Sequence, residues 1–575
     1  RWRIEPSDSA AYRRGELVRP VKQLVFYIDS LMPVKWNPYI KAGAESWNKA
    51  FEKIGFKDVI CVKEFPKNDT LFNANSFDCM TIRYSASWLN SAQTTIHSDT
   101  RTGEILNASI LINANMISVQ YADRIGATVA IDPRVRTTVF PQEIQGELIQ
   151  AAIAQAVGTG LGLAMNWGAS CAYPVDSLRS ASFTQKYGLA SSVMGGVIIN
   201  DVATEEDVRN GVCLVNTKPG PYDELVIKYL YQPIYASSLQ EEKETLDSWI
   251  REHTGDPYYA YIRNQSRFDS DPRNSRGSLG DDHLKSFDYM LPNVRKGFEN
   301  YYSWFAKEDR DFLMRRRVHS ALSERLSGRI YAILSYIGGI YLNDIREKDA
   351  IPSYSMVDRE KQKAALSKAL ELAKNLDWVD DTAHLNEFEI SDKKADRLRL
   401  DIFNGIFGRL PYVEVCTERF PDAAYTASEY LDDIYGIVWE GVLKHRPLEN
   451  FDRALQTAFL ESIISTSTAT APIGSFKASK TGFAATGKPE INLAALRNGG
   501  KVDMKMHSLQ NAEEVAGFSS IPPIYTNQTK IAAYYFDLLM RTKDMLKKAI
   551  STAPEADRSH YDLLIYRINK ATEIE

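Results

Sequence analysis

An α/β domain followed by a large, mainly α-helical region is the architecture this sequence predicts, with the change falling near residue 210. Three observations carry that expectation. Apolar runs of strand length alternate with helical spacing over the first 115 residues; a helix-period stretch at 141–162 ends in a cluster of glycines; and from Tyr222 onward one amphipathic segment follows another. The expected division is therefore 1–210 and 211–575.

Residues 21–29 (VKQLVFYID) form an apolar run that reads as a strand, and 36–54 places Trp36, Ile40, Ala44, Trp47 and Phe51 at helical spacing. Further strands are expected at 59–64 and 80–84, and 102–113 (TGEILNASILIN) alternates Leu106, Ala108, Ile110 and Ile112 on one face. Helices are expected at 283–305, 310–344, 358–377, 393–409, 422–446, 450–466, 527–550 and 556–572. In the second of these, Val318, Leu322, Leu326, Ile330, Ile333 and Ile337 keep to one side. The polar stretches 264–282 and 465–489 read as loops.

Bulk properties remove several function classes. The 69 Lys and Arg against 74 Asp and Glu leave a net charge of −5 with no long block of either sign, which argues against nucleic-acid or membrane-surface attraction. The longest weakly polar stretch, Ala151 to Met165, contains Gln155, Thr159 and three glycines and falls short of the roughly twenty apolar residues of a membrane span. Five cysteines (Cys61, Cys79, Cys171, Cys213, Cys416) without CxxC spacing indicate neither a disulfide framework nor a thiolate metal site, although pairing of Cys61 with Cys79 stays open. The opening Arg1-Trp2-Arg3, with no initiator methionine, apolar leader or cleavage site, is what a trimmed or processed chain presents.

The stretch at 141–162 carries the chemistry. Pro141, Glu143 and Glu147 suit a helix start, and Ile144, Leu148, Ala152, Gln155 and Thr159 follow at steps of three and four. The helix is expected to fail around Gly158, Gly160 and Gly162. From Gln155 the spacing runs four to Thr159, three to Gly162 and three to Met165, which is the spacing of HExxHxxGxxH, where three histidines bind zinc and the glutamate acts as general base. In this chain the positions hold Gln155, Ala156, Thr159, Gly162 and Met165, so the three imidazoles and the carboxylate are all replaced.

The surroundings resemble one family, the metzincin-like zinc-dependent metalloproteases of Bacteroidota, large envelope lipoproteins. The matching stretches are Arg1–Pro6 (RWRIEP), Val25–Asp29 (VFYID), the helix around Trp47, Arg101–Ile110 (RTGEILNASI), Asn166–Gly188 (NWGASCAYPVDSLRSASFTQKYG), Ser191–Gly196 (SSVMGG) and Leu279–Tyr289 (LGDDHLKSFDY). The resemblance implies an α/β metzincin-like domain with a twisted mixed sheet and an active-site helix. It puts Met194 at the Met-turn, with Gly195-Gly196 where an Asp-Tyr pair is expected, and it makes 102–113 the edge strand along which a peptide lies extended. Ile105, Asn107, Ser109, Leu111, Gln155, Thr159 and Met165 are then the candidate cleft residues.

The family implies zinc, but no cofactor is expected here. The eight histidines include none between 98 and 252, so no substitute imidazole is local, and His97 reads as a surface loop residue. The resulting expectation is a catalytically inactive homologue, a pseudopeptidase, that binds a peptide or protein in the residual cleft or serves as a subunit of a cell-envelope complex, for example beside an outer-membrane transporter. A hydrolase using an unrecognised site and a purely structural protein whose groove is filled by its own side chains stay open.

Overall fold

The computed structural model describes residues 1–572 except 67–70, 90–91, 263–269, 275–276, 348, 385–386, 388–392 and 467–527. The loop expected at 465–489 lies outside the described residues from 467 on, and that at 264–282 lies outside them in part. Contacts divide the chain into two compact units, Arg1–Leu431 and the described residues from Asp432 onward.

In the first unit a short helix, α1 (Ser9–Arg13), is capped by Asp8, whose carboxylate accepts from the amides of Ala10 and Ala11. Five strands follow: β1 (Leu24–Ile28), β2 (Ile60–Glu64), β3 (Met80–Ser85), β4 (Ala92–Ser98) and β5 (Ile105–Asn113). They form one mixed sheet in the order β2-β1-β3-β5-β4, parallel except for β4, which runs antiparallel to β5 at one edge.

Two expectations are corrected here. Residues 102–113 do not form the edge strand: β5 is bonded to β3 on one side and β4 on the other, so its backbone is already paired. The edge belongs to β4, which the sequence did not announce. The single helix expected at 36–54 is instead α2 (Asn37–Glu45) and α3 (Asn48–Glu52). The break comes where the Ser46 hydroxyl donates to Gly43 O and the fully buried Trp47 donates its indole N–H to Ala154 O.

After β5 come α4 (Ala114–Thr128) and the long α5 (Gln142–Gly160). The helices α2 and α5 cross at Gly43, where an added Cβ would meet Gln150 O at 2.5 Å, so only glycine permits this approach. Phe26, Ile82, Ala108, Ile110 and Ile112 from the sheet and Ile153 and Val157 from α5 share one buried core. Short helices α6 (Ala181–Tyr187) and α7 (Glu205–Arg209) lead to α8 (Pro221–Tyr231) and α9 (Leu239–Arg251).

The remainder is mostly helical, as expected. The first unit continues with α10 (His283–Phe305), α11 (Leu313–Leu334), α12 (Arg359–Lys374), α13 (Lys394–Gly408) and α14 (Leu410–Arg419). The helix expected to reach 344 stops at Leu334. Gly338 then takes φ +61°, and Ile340–Leu342 (β6) pairs with Tyr354–Met356 (β7). Next come α15 (Ala427–Val438), which crosses the unit boundary, and α16 (Glu440–Leu443). The second unit is built on α17 (Asn450–Thr466), α18 (Gln528–Ala549) and α19 (Glu555–Thr572). Within it the buried Asp557 accepts from Leu448 N and from Arg453 Nη2. No described helix is long and apolar enough to cross a membrane. All five cysteines are free thiols, Cys61 and Cys79 included.

One buried ion cluster joins the segment after the sheet to α11. Asp201 is inaccessible and accepts from Arg325 Nε at 2.6 Å and Arg329 Nε at 2.9 Å, with Arg329 Nη2 on its second oxygen. The two guanidinium groups overcome burial and hold the Asp201 carboxyl below the usual range. Asp201→Ala leaves Arg329 buried without its counter-ion, so unfolding stability is expected to fall by about 3–5 kcal/mol, read by urea denaturation. A depressed folded pKa gives stability that is present above the unfolded value and lost as pH falls through the folded one. The difference between native protein and variant should therefore shrink below about pH 4.

Candidate functional site

The site is made by the way α5 ends. Gly162 takes φ +91°, Leu163 N–H donates to Gly158 O at 3.1 Å and Gly162 N–H donates to Thr159 O at 2.8 Å, which together form a Schellman turn. Two further terminal carbonyls are satisfied by side chains from elsewhere in the chain. The Trp2 indole donates to Gly160 O at 2.8 Å, and the Tyr231 hydroxyl donates to Leu161 O at 2.5 Å.

Because the turn reverses the chain, Met165 comes back over the helix face that carries Gln155. The Gln155 amide Nε2 donates to Met165 Sδ at 3.2 Å, and Thr159, one turn on, donates its hydroxyl to Gln155 O at 3.3 Å. All three residues are half-buried. The chain beyond is pinned by Asn166, whose N–H donates to Met194 O at 3.1 Å. Its buried carboxamide accepts from Ile262 N and donates to Ala260 O.

Met194 is fully buried in a single 3₁₀ turn, Val193–Gly195, directly beneath α5. A Cβ on Gly158 would come within 2.5 Å of both Met194 Sδ and Trp47, so the thioether floors the helix at that glycine. Gly195 and Gly196 are half-exposed, and Gly196 takes φ +95°.

An aspartate that the sequence reading passed over holds this turn. Asp223, inaccessible in the first turn of α8, accepts from Ser192 Oγ at 2.5 Å, Val193 N at 2.9 Å and Gly220 N at 2.9 Å, while Ser192 Oγ in turn accepts from Met194 N. Burial pushes its carboxyl up to about 7 against the pull of those donors. No motif spacing links Asp223 to Met194. The only local signal was a Gly-Pro-x-Asp helix start at Gly220–Asp223.

The edge strand meets the site through Thr94, whose hydroxyl donates to Ala156 O at 2.9 Å. Ala156 itself is buried and offers only a methyl group where the spacing would place a general base. The ionisable residues of α5, Glu143 and Glu147, lie toward the start of the helix.

The structure gathers Gln155, Thr159, Gly162 and Met165, with Met194 below and Ile105 against Gly162, where an added Cβ would lie 3.4 Å from Ile105 Cδ1. It does not bring Asn107, Ser109 or Leu111 to them. The β4–β5 register shifts between His97 and Ser98, opposite Asn107 and Ile105, so Ile105 faces the turn although residues alternate from Asn107 on, and there it is Ala108 that lies against Gly160 of α5. Asn107 is buried on the other face, donating to Phe77 O and Cys79 O, and Ser109 donates to Asn107 there. His97 is an exposed strand residue rather than a loop residue. It sits opposite Asn107 with its ring 5.7 Å from that of Phe77, on the face away from α5.

The donor chemistry does not fit zinc. A carboxamide, a hydroxyl and a thioether occupy the three ligand positions, and zinc in proteins is held by thiolate, imidazole and carboxylate. Among the described residues, no group of three or more His, Cys, Asp or Glu is placed to hold a metal ion.

The mixed sheet with one antiparallel edge strand, the helix ended by a glycine turn and the methionine floor define a metalloprotease-like scaffold of the metzincin kind. A family model described as Met-zincin matches residues 137–446, more than half of the chain, and the chain belongs to that family. Comparison with curated proteins and with solved structures returns no match.

The Asp223 latch has a pH signature. A carboxyl whose folded pKa is raised gives stability that is full below its unfolded value, near pH 4, and is lost as pH rises through about 7. Relative to Asp223→Asn, the native protein is expected to lose unfolding stability between those limits, as measured by denaturation at a series of pH values. A constant difference across that range would count against the latch.

Proposed function

We propose that this chain is a non-catalytic Met-zincin, a pseudopeptidase that binds an extended peptide or protein segment in the cleft between β4 and the Gln155–Met165 corner without cleaving it. The observation that carries the reading is the contrast at α5. The backbone devices of the site are present, namely the helix face, the Schellman turn at Gly162 and the Met194 floor, while Gln155, Ala156, Thr159 and Met165 offer no zinc ligand set and no general base.

Binding needs less than catalysis does. Strand addition at a sheet edge uses backbone N–H and C=O groups, which no side-chain substitution removes. The edge strand β4 is paired only with β5 among the described strands. Specificity would come from the neutral lining of Gln155, Thr159 and Met165, which favours uncharged side chains over ionised ones because a buried charge there would find no partner. The resemblance to envelope lipoproteins sets where the partner is sought: among secreted or envelope proteins, including transporter subunits.

Two measurements test the proposal. Purified protein should hold no stoichiometric zinc and cleave neither unfolded casein nor a fluorogenic peptide set; one equivalent of zinc with chelator-sensitive cleavage would sink it. Peptides selected from a displayed random library should slow amide hydrogen exchange in β4 and around Gln155, and protection confined to other elements would sink the cleft reading.

A further inference from the structure

In a tetrahedral zinc site with ligand bonds of about 2.0–2.1 Å, two coordinating nitrogens sit about 3.3 Å apart. In this chain the terminal atoms from the first and third positions, Gln155 Nε2 and Met165 Sδ, are 3.2 Å apart and bonded to one another. The space a metal would bridge is thus closed by a direct amide-to-thioether contact at nearly the separation the metal would impose.

The third corner is closed differently. Thr159 turns its hydroxyl back to Gln155 O, so it completes no ligand set. Nothing else in the turn calls for a metal either. The Schellman bonds, the Trp2 and Tyr231 caps and the hydrogen bonds of Asn166 to Met194, Ala260 and Ile262 fix the returning segment.

We propose that the Gln155–Met165 contact performs the cross-linking that a metal performs at this turn, and that the backbone around it still holds positions 155, 159 and 165 at metal-ligand spacing. The site is then metal-independent as it stands and remains a latent metal site in its backbone. This inference rests on the geometry of the turn and is independent of whether a peptide binds in the cleft.

The test uses the whole chain and reads structure rather than activity. In the natural protein, Zn²⁺ and a chelator should both leave the thermal midpoint unchanged. Gln155→Ala and Met165→Leu should each lower it, and the double variant should lie no lower than the worse single variant, because both remove the same contact. The triple variant Gln155→His, Thr159→His, Met165→His should bind one equivalent of Co²⁺ with the absorption bands of a tetrahedral site, and Zn²⁺ should raise its midpoint. A folded triple variant that binds no Co²⁺ overturns the latent site. A natural protein destabilised by the chelator, or single-variant effects that simply add, overturns the cross-link. The single and double variants keep that part decidable should the triple variant not fold.

Discussion

The return of the chain at Gly162 is the constraint on which the rest of the site depends. A non-glycine residue at φ +91° would be strained, and without the reversal Met165 would continue away from Gln155 instead of meeting it. The turn in turn requires something to satisfy the last carbonyls of a helix packed on both sides. The chain provides this with an indole from residue 2 and a phenol from residue 231, so residues near the start of the chain and in α8 are needed to finish a helix near residue 160. Their placement explains why α8 and the first residues pack into the same core as the sheet.

Below the helix a second arrangement works by the opposite means. Where the Gly162 turn is held largely by backbone bonds, the turn under Gly158 is held by one buried carboxyl that gathers a hydroxyl and two amide N–H groups. Such a group is costly to bury and costly to leave unpaired, which makes it a specific fastener. The same logic operates at Asp201, where a fully buried carboxyl is offset by two arginines from α11. Both acids lie in segments without regular sheet structure, where backbone ladders cannot do the holding.

How much of this could be read from the sequence varies with the kind of signal. The helix at 141–162 and the convergence of positions 155, 159 and 165 were legible because a helix face and a glycine turn impose them whatever the side chains are. The later helices were legible from apolar periodicity, with bounds within a few residues at 283–305 and 450–466. β4 was not. Its sequence AQTTIHS is mostly polar because only Thr94 is fully buried, and the strand is recognised by pairing with β5, a long-range property. The face assignment on β5 failed for a related reason. The side chains at 108, 110 and 112 turn toward α5, and choosing Asn107, Ser109 and Leu111 shifted the cleft to the other side of the sheet. Asp223 was legible only as a helix-start acid beside Gly220; its role under α5 was not, because Ser192 and Val193 lie far back in the chain and leave no spacing rule to find.

The carboxamide of Asn166 carries a consequence for how the molecule can be divided. Its two hydrogen bonds reach Ala260 and the buried Ile262, well past the end of the α/β region. The corner formed by residues 155–166 is therefore walled in part by chain that belongs, by element order, to the helical region. The sheet, this corner and the first helices after it accordingly fall within one compact unit, Arg1–Leu431.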